Sequence, residues 1–178
     1  VVTDNRVSSA AATRHLIDGG HRRIAFIGDY ASIVTANERY QGYVDAMAAA
    51  GAQVFPELVM RDVHDAAQAA EAVGALLAQV NPPTALFTAQ NLITMGAVEA
   101  LRDAGLQHRI ALVGFDDFAM ANLLDPAVTV VAQDPRAIGR LAATLVGERL
   151  ANPTSPVSIH VVPSALIARG SGEIAPQH

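Results

Sequence analysis

The chain has 178 residues, 51% of them hydrophobic, with 12 basic residues, all arginine, against 17 acids and a formal net charge of −5. That is enough apolar material for one full core, and the acidic balance with scattered cations argues against a phosphate-gripping surface on this chain. Cysteine is absent, which rules out disulfides and thiolate chemistry and fits a reducing, cytoplasmic compartment.

No apolar run approaches the ~20 residues that span a bilayer, and residues 1 to 30 lack the basic-then-apolar order of an export leader. No membrane partner is expected. Only Arg22 and Arg23 are adjacent cations, which reads as a solvated pair opening a strand. The chain begins at Val1 inside what reads as a strand-loop-helix unit, and is expected to be part of a longer protein.

In chain order, Val1-Val2-Thr3 is a short apolar segment, and alanine-rich Ser8 to Asp18 predicts a helix stopped by Gly19-Gly20. Ile24 to Gly28 predicts a buried strand, followed by a loop from Asp29 to Ala36. Tyr40, Tyr43, Val44 and Met47 fall at i, i+3, i+4 and i+7, one helical stripe that ends at Gly51. Val54 to Met60 predicts a second strand with Pro56 near its start. A loop over residues 61 to 65 follows. Ala69, Val73, Leu76, Leu77 and Val80 mark a third helix that must end before Asn81-Pro82-Pro83.

Thr84 to Thr88 predicts the next strand, Asn91 to Ala104 a helix, and Ile110 to Gly114 a strand that runs into Phe115-Asp116-Asp117. Asp125-Pro126 turns the chain, and Val128 to Ala132 predicts a further strand. Ile138, Leu141, Ala142, Leu145 and Val146 define a last amphipathic helix, broken by Asn152-Pro153. Val157 to Val162 reads as a strand, Leu166-Ile167 as a short apolar piece, and Gly170 to His178 as a frayed tail.

Strands and helices that alternate in this way give right-handed crossovers and a doubly wound parallel α/β sheet. Ligands of such sheets sit beyond the carboxyl ends of the strands, which is where Asp116 and Asp117 fall.

Several motifs occur together: Asp4-Asn5, His15 through Gly28, Arg39-Tyr40-Gln41-Gly42-Tyr43, Pro83 to Phe87, Gly96-Ala97, Val113-Gly114-Phe115-Asp116-Asp117, and Gln133-Asp134-Pro135 ahead of Gly139. In this order they resemble the effector-binding domain of the lactose/galactose-repressor (LacI/GalR) family of bacterial transcription regulators. The resemblance covers nearly the whole chain. It implies two α/β lobes, similar to those of periplasmic sugar-binding proteins, with a ligand between them and a helix-turn-helix headpiece upstream.

On that resemblance, residues 1–132 are the second lobe, residues 133–163 are a helix and strand crossing back to a first lobe outside this chain, and residues 164–178 are a return strand and tail. Leu141, Leu145 and Val146 are then expected to be covered by a second copy, repacked onto the sheet, or poorly ordered.

The resemblance also nominates site residues. Asp116 matches the effector-contacting acid, and a carboxylate suits neighbouring sugar hydroxyls because it accepts several hydrogen bonds. Asp117 is read as a turn cap. Arg39 matches the arginine that opens the family's second helix, whose fork can hold two ligand oxygens; its ordinary alternative is an ion pair with Glu38 or Asp29. Gln90 and Asn91 stand where the family has Asn-Asp. Val63, with His64 beside it, stands where a stacking aromatic is common, so a stacking platform is expected to be missing. That favours a sugar or polyol over a flat purine.

Catalytic machinery is not evident: the histidines at 15, 21, 64, 108, 160 and 178 lack metal-ligand spacing, and there is no Gly-x-Ser-x-Gly elbow or glycine-rich phosphate loop. No cofactor or metal is expected. The implied partners are a small-molecule effector, a second copy of the chain, and operator DNA contacted through the headpiece. A transport-linked periplasmic binding protein shares the expected fold and is the alternative, and a doubly wound enzyme remains only if residues outside this chain carry its catalytic groups.

Overall fold

The computed structural model describes residues 1–177. Its elements are β1 (Val2–Thr3), α1 (Asn5–Asp18), β2 (Ile24–Ile27), α2 (Val34–Ala49), a 3-10 turn (Pro56–Leu58), β3 (Val59–Met60), α3 (Ala66–Leu77), β4 (Ala85–Thr88), α4 (Asn91–Asp103), β5 (Ala111–Phe115), β6 (Thr129–Ala132), α5 (Pro135–Ala151), β7 (Val161–Val162), β8 (Ala165–Ile167) and a closing 3-10 turn (Ser171–Glu173).

Six strands form one sheet in the order β3-β2-β4-β5-β6-β8, all parallel except β8, which runs antiparallel to β6. β1 and β7 form a separate parallel pair, with Val2 opposite Val161. The direction of winding reverses at β2, whose neighbours are β3 on one side and β4 on the other. The crevice between the carboxyl ends of β2 and β4 is therefore the natural place for a ligand.

Strands β2, β4 and β5 are buried at every residue, because helices cover both faces of the sheet. Alternation along the strands sorts the core. Phe26, Phe87, Val113, Phe115 and Val131 face α1 and α2, while Ala25, Ile27, Leu86, Leu112 and Val130 face α3 and α4. On the first face, Phe26 lies 5.3 Å from Tyr43 and 5.8 Å from Phe87, ring centre to ring centre. Tyr43 is fully buried, and its hydroxyl donates to Ile24 O at 2.9 Å, so the phenol enters the core without an unsatisfied group.

Several expectations are corrected. Helix α2 starts at Val34, inside the expected loop, and Asn37 N donating to Ile33 O closes its first turn. The expected strand over residues 54–60 is two residues of edge strand after a 3-10 turn, because Pro56 opens that turn and Leu58 is buried in it. Val80 lies outside α3 and is 96% exposed. Of the strand expected over residues 157–162, Val161–Val162 form the ladder with β1.

Helix α5 is regular, started by Pro135 at N1 and by the Asp134 carboxylate accepting from Ala137 N at 2.8 Å. No α5 residue is buried: Leu141 and Leu145 are half-buried, and Val146 is 59% exposed. The expected repacking of these side chains onto the sheet does not occur.

The tail is not frayed through Gln177. Ser171 and Gly172 are buried, and the Ser171 hydroxyl donates to Leu112 O at 2.6 Å while accepting from Thr129 N at 2.9 Å. His21, fully buried, ties the tail to α1 and β4: Nε2 donates to Ile174 O at 2.8 Å, and Nδ1 accepts from the Thr84 hydroxyl at 2.9 Å. His178 lies outside the described residues.

Burial lowers the His21 pKa from 6.5, opposed by the bond to Ile174. As pH falls through 6.5 the unfolded chain takes up a proton that the folded chain resists, so stability is full above 6.5 and declines below it. Urea midpoints measured on either side of that pH should show the decline, and His21→Gln, which keeps one donor and one acceptor, should flatten it. An identical slope in the variant would exclude His21 as its source.

Candidate functional site

The expected acid stands at the carboxyl end of β5, on a bend of its own. Asp116 has φ 71°, a left-handed conformation that costs about 1 kcal/mol and that aspartate tolerates better than most residues. Its backbone N–H still donates to Val131 O at 2.9 Å, so the bend is held on the sheet. One carboxylate oxygen accepts from Arg39 Nη1 at 3.2 Å, and the other accepts from Gln133 Nε2.

Arg39 is buried on α2, inside the helix rather than at its opening. Its expected alternative, a surface pair with Glu38 or Asp29, is not formed. Nε donates to Asn5 Oδ1 at 2.9 Å, Nη1 to Ala89 O at 2.8 Å as well as to Asp116, and the guanidinium lies 3.8 Å from the centre of the Phe115 ring. Burial lowers its pKa, and Asp116 opposes that shift.

The pair belongs to a longer chain of bonds. Thr3 donates to Gln133 Oε1 at 2.9 Å, and Asn5 Nδ2 donates to Glu38 Oε2 at 3.0 Å. Asp116 is thus bonded through Gln133 to β1 and to the start of α5, and Arg39 through Asn5 to the start of α1. Nearby, Asp4 Oδ1 accepts from both the N–H and the hydroxyl of Ser164 at 2.9 Å, tying the start of the chain to the turn between β7 and β8.

Asp117 faces away from this cluster. It accepts from Phe118 N at 3.0 Å, the expected cap, and also from both Arg169 Nη atoms at 2.8 and 2.7 Å. That fork holds its carboxyl below the usual carboxylate range. The two adjacent acids have different partners, which makes them unsuited to paired acid/base work.

A second cluster lies at the ends of β2, β3 and β4. Asp29, directly after Gly28, accepts from Tyr30 N at 2.7 Å, from His64 Nδ1 at 3.0 Å and from Gln90 Nε2 at 3.2 Å. The Tyr30 and His64 rings are stacked with centres 5.1 Å apart. This corrects the expectation that no flat platform exists: the aromatic comes from the loop after β2. Val63 is 8% exposed and packs in the core facing α3 and α4, so His64 alone of that pair reaches the surface. Asn91 accepts from Leu92 N at 2.8 Å in the first turn of α4, and Gln90 is the residue before it.

Sequence reasoning brought Asp116, Arg39, Gln90 and His64 to one edge and missed Asp29, Tyr30, Asn5 and Gln133 as members of the network. Asp29 carried a usable signal, an acid placed after an apolar strand and glycine as Asp116 is. Among the described residues there is no group of three or more His, Cys, Asp or Glu placed to hold a metal ion, and no helix long and apolar enough to cross a membrane.

A family model described as a periplasmic binding protein-like domain matches residues 13–172. The chain belongs to that family. This periplasmic binding protein-like domain is similar to the HTH-type transcriptional repressor PurR of Pasteurella multocida strain Pm70, with 33% identity over 78% of this chain and 42% of that protein. It is also similar to the ribose operon repressor of Haemophilus influenzae, with 28% identity over 96% of this chain and 52% of that protein.

Among solved structures, a transcriptional regulator CelR–cellobiose complex matches with TM-score 0.88 and 33% identity, over 95% of this chain and 52% of that one. A regulatory protein of the LacI family from Chloroflexus aggregans matches with TM-score 0.89 and 28% identity, over 95% and 62%. These relatives are transcriptional regulators. The chain spans about half the length of the curated relatives it matches.

Proposed function

We propose that this chain is the effector-sensing part of a LacI-family transcriptional regulator of the cytoplasm, that it binds a small neutral sugar at the Asp116–Arg39 edge, and that it is not an enzyme. The observation that carries the reading is the pair of buried Arg39 and half-buried Asp116, whose bonds run through Gln133 and Asn5 to the segments that enter and leave the sheet. A ligand that takes hydrogen bonds at Asp116 therefore acts on the same atoms that hold those segments. Closure of a second lobe over the ligand would favour one arrangement of the two lobes, and a homodimer would pass that change to operator DNA through headpieces outside this chain.

The regulator reading is preferred over a transport-linked binding protein because the relatives above carry regulator and repressor names. A sugar is supported by the cellobiose complex of one relative and the ribose operon of another. The test is calorimetric titration of the full-length protein with cellobiose, ribose, glucose, galactose and hypoxanthine. Asp116→Ala and Arg39→Ala should each weaken the ligand that binds by about a hundredfold. Unchanged affinity in both variants would sink the site.

A further inference from the structure

The hydrogen-bond capacity of this edge is lopsided. Each carboxylate oxygen has two acceptor positions. Asp29 Oδ1 uses both, on Tyr30 N and His64, and Oδ2 uses one, on Gln90. Asp116 has one position left on each oxygen after Arg39 and Gln133. Gln90 Oε1 is buried with no hydrogen-bond partner.

Because a carboxylate can only accept, Asp29 also dictates its partners: Gln90 must give it the NH2, and His64 must carry a proton on Nδ1. Fewer donors are free, since Arg39 Nε and Nη1 are spent on Asn5, Ala89 and Asp116, which leaves Nη2 of the guanidinium uncommitted. The edge has spare acceptors and two carboxylates. Beside them lies a flat surface, Tyr30 at 42% exposed stacked on the His64 ring, whose side chain is 54% exposed.

We propose that Asp29, Tyr30 and His64 form a specificity edge that selects an uncharged ring rich in hydroxyl donors, such as a pyranose, and rejects its phosphorylated counterpart. The apolar face of the sugar ring lies against the Tyr30–His64 surface, and its hydroxyls donate to the free positions on Asp29 and Asp116. A phosphate would add acceptors where acceptors are in surplus and would place like charge against two carboxylates. A purine could use the flat surface but needs donors for its ring nitrogens, and this edge has few to offer.

This inference rests on the reading that Asp116 contacts the ligand, and the test separates the two. The full-length protein is titrated with cellobiose, glucose, galactose and ribose, with glucose 6-phosphate, galactose 6-phosphate and ribose 5-phosphate, and with hypoxanthine. A neutral sugar should bind, with its phosphate weaker by about a hundredfold. Asp29→Asn and Tyr30→Ala should each weaken that sugar by about tenfold, with Tyr30→Phe close to wild type because it keeps the ring. Unchanged circular dichroism would show that the variants are folded.

Tighter binding of the phosphate or of hypoxanthine than of any neutral sugar overturns the proposal, as does near-wild-type affinity in both Asp29→Asn and Tyr30→Ala. If sugar binding is lost in Asp116→Ala yet indifferent to Asp29 and Tyr30, only this inference fails. If no sugar binds the wild type, both fail.

Discussion

Gly96→Ala is expected to lower the unfolding free energy by about 3 kcal/mol, at the upper end of the usual cost of overpacking, although it adds one methyl group to a helix. Helices α3 and α4 cross so closely that a Cβ at Gly96 would lie 2.0 Å from Ala66 O and 2.8 Å from the Ala69 Cβ. The obstacle is backbone, so no side-chain rotation relieves it and the helices must part. Gly42 repeats the arrangement on the other face of the sheet, where a Cβ would stand 2.2 Å from Arg6 O of α1.

Gly74, on α3 itself, is the control. A Cβ there meets nothing within 4 Å, so Gly74→Ala should stabilise by about 0.5–1 kcal/mol through helix propensity alone. Urea titrations of both variants check the pair of signs. Equal stability of Gly96→Ala and Gly74→Ala would mean that the helices are not held at this separation. Against a total of about 5–15 kcal/mol, the loss at Gly96 is large enough to reduce the amount of folded protein in a cell.

Asp116→Ala should destabilise the fold as well as remove a ligand contact. It strands a buried guanidinium, whose remaining partners, Asn5 Oδ1 and Ala89 O, carry no charge. Breaking a buried pair from one side costs about 3–5 kcal/mol, and the low end applies here because the Asp116 side chain keeps 24% of its exposure. Arg39→Met should be milder, since a flexible apolar side chain can lie on Phe115 where the guanidinium now rests.

The double variant then distinguishes attraction from desolvation. If the pair is held by its own charge complementarity, Asp116→Ala with Arg39→Met should be more stable than the two separate losses predict, by about 1–3 kcal/mol. Simple additivity in urea denaturation would mean that the two side chains act independently.

The central strands were legible because burial on both faces demands unbroken apolar runs, and residues 24–27, 85–87 and 111–115 satisfy that demand without help from elsewhere. The edge strand was not. Its hydrophobic residues are satisfied by packing instead of pairing: Leu58 sits in a 3-10 turn, and Phe55 lies under the Arg23 guanidinium at 4.5 Å. The tail failed for a different reason, since Ser171 and Gly172 bury through hydrogen bonds and close approach and leave no hydrophobic trace.

At the site, position relative to strand ends located Asp116 and Arg39. The Tyr30–His64 stack joins loops after different strands, and no local spacing in the chain encodes that contact. The same holds for Gln133, which stood within a recognised motif yet showed its part only once Thr3 and Asp116 were both brought to its side chain.

The β1–β7 pair bears on how the sheet would move against a second lobe. Two separate threads would let it both swing and slide relative to whatever they lead to. Here Val2 and Thr3 are laddered to Val161 and Val162, and Asp4 is riveted to Ser164 beside them. Stitched in this way, the threads become a leaf flexure, compliant to bending across its width and stiff to shear along its length. A push passed from Gln133 to Thr3 is expected to turn such a joint more readily than to slide it.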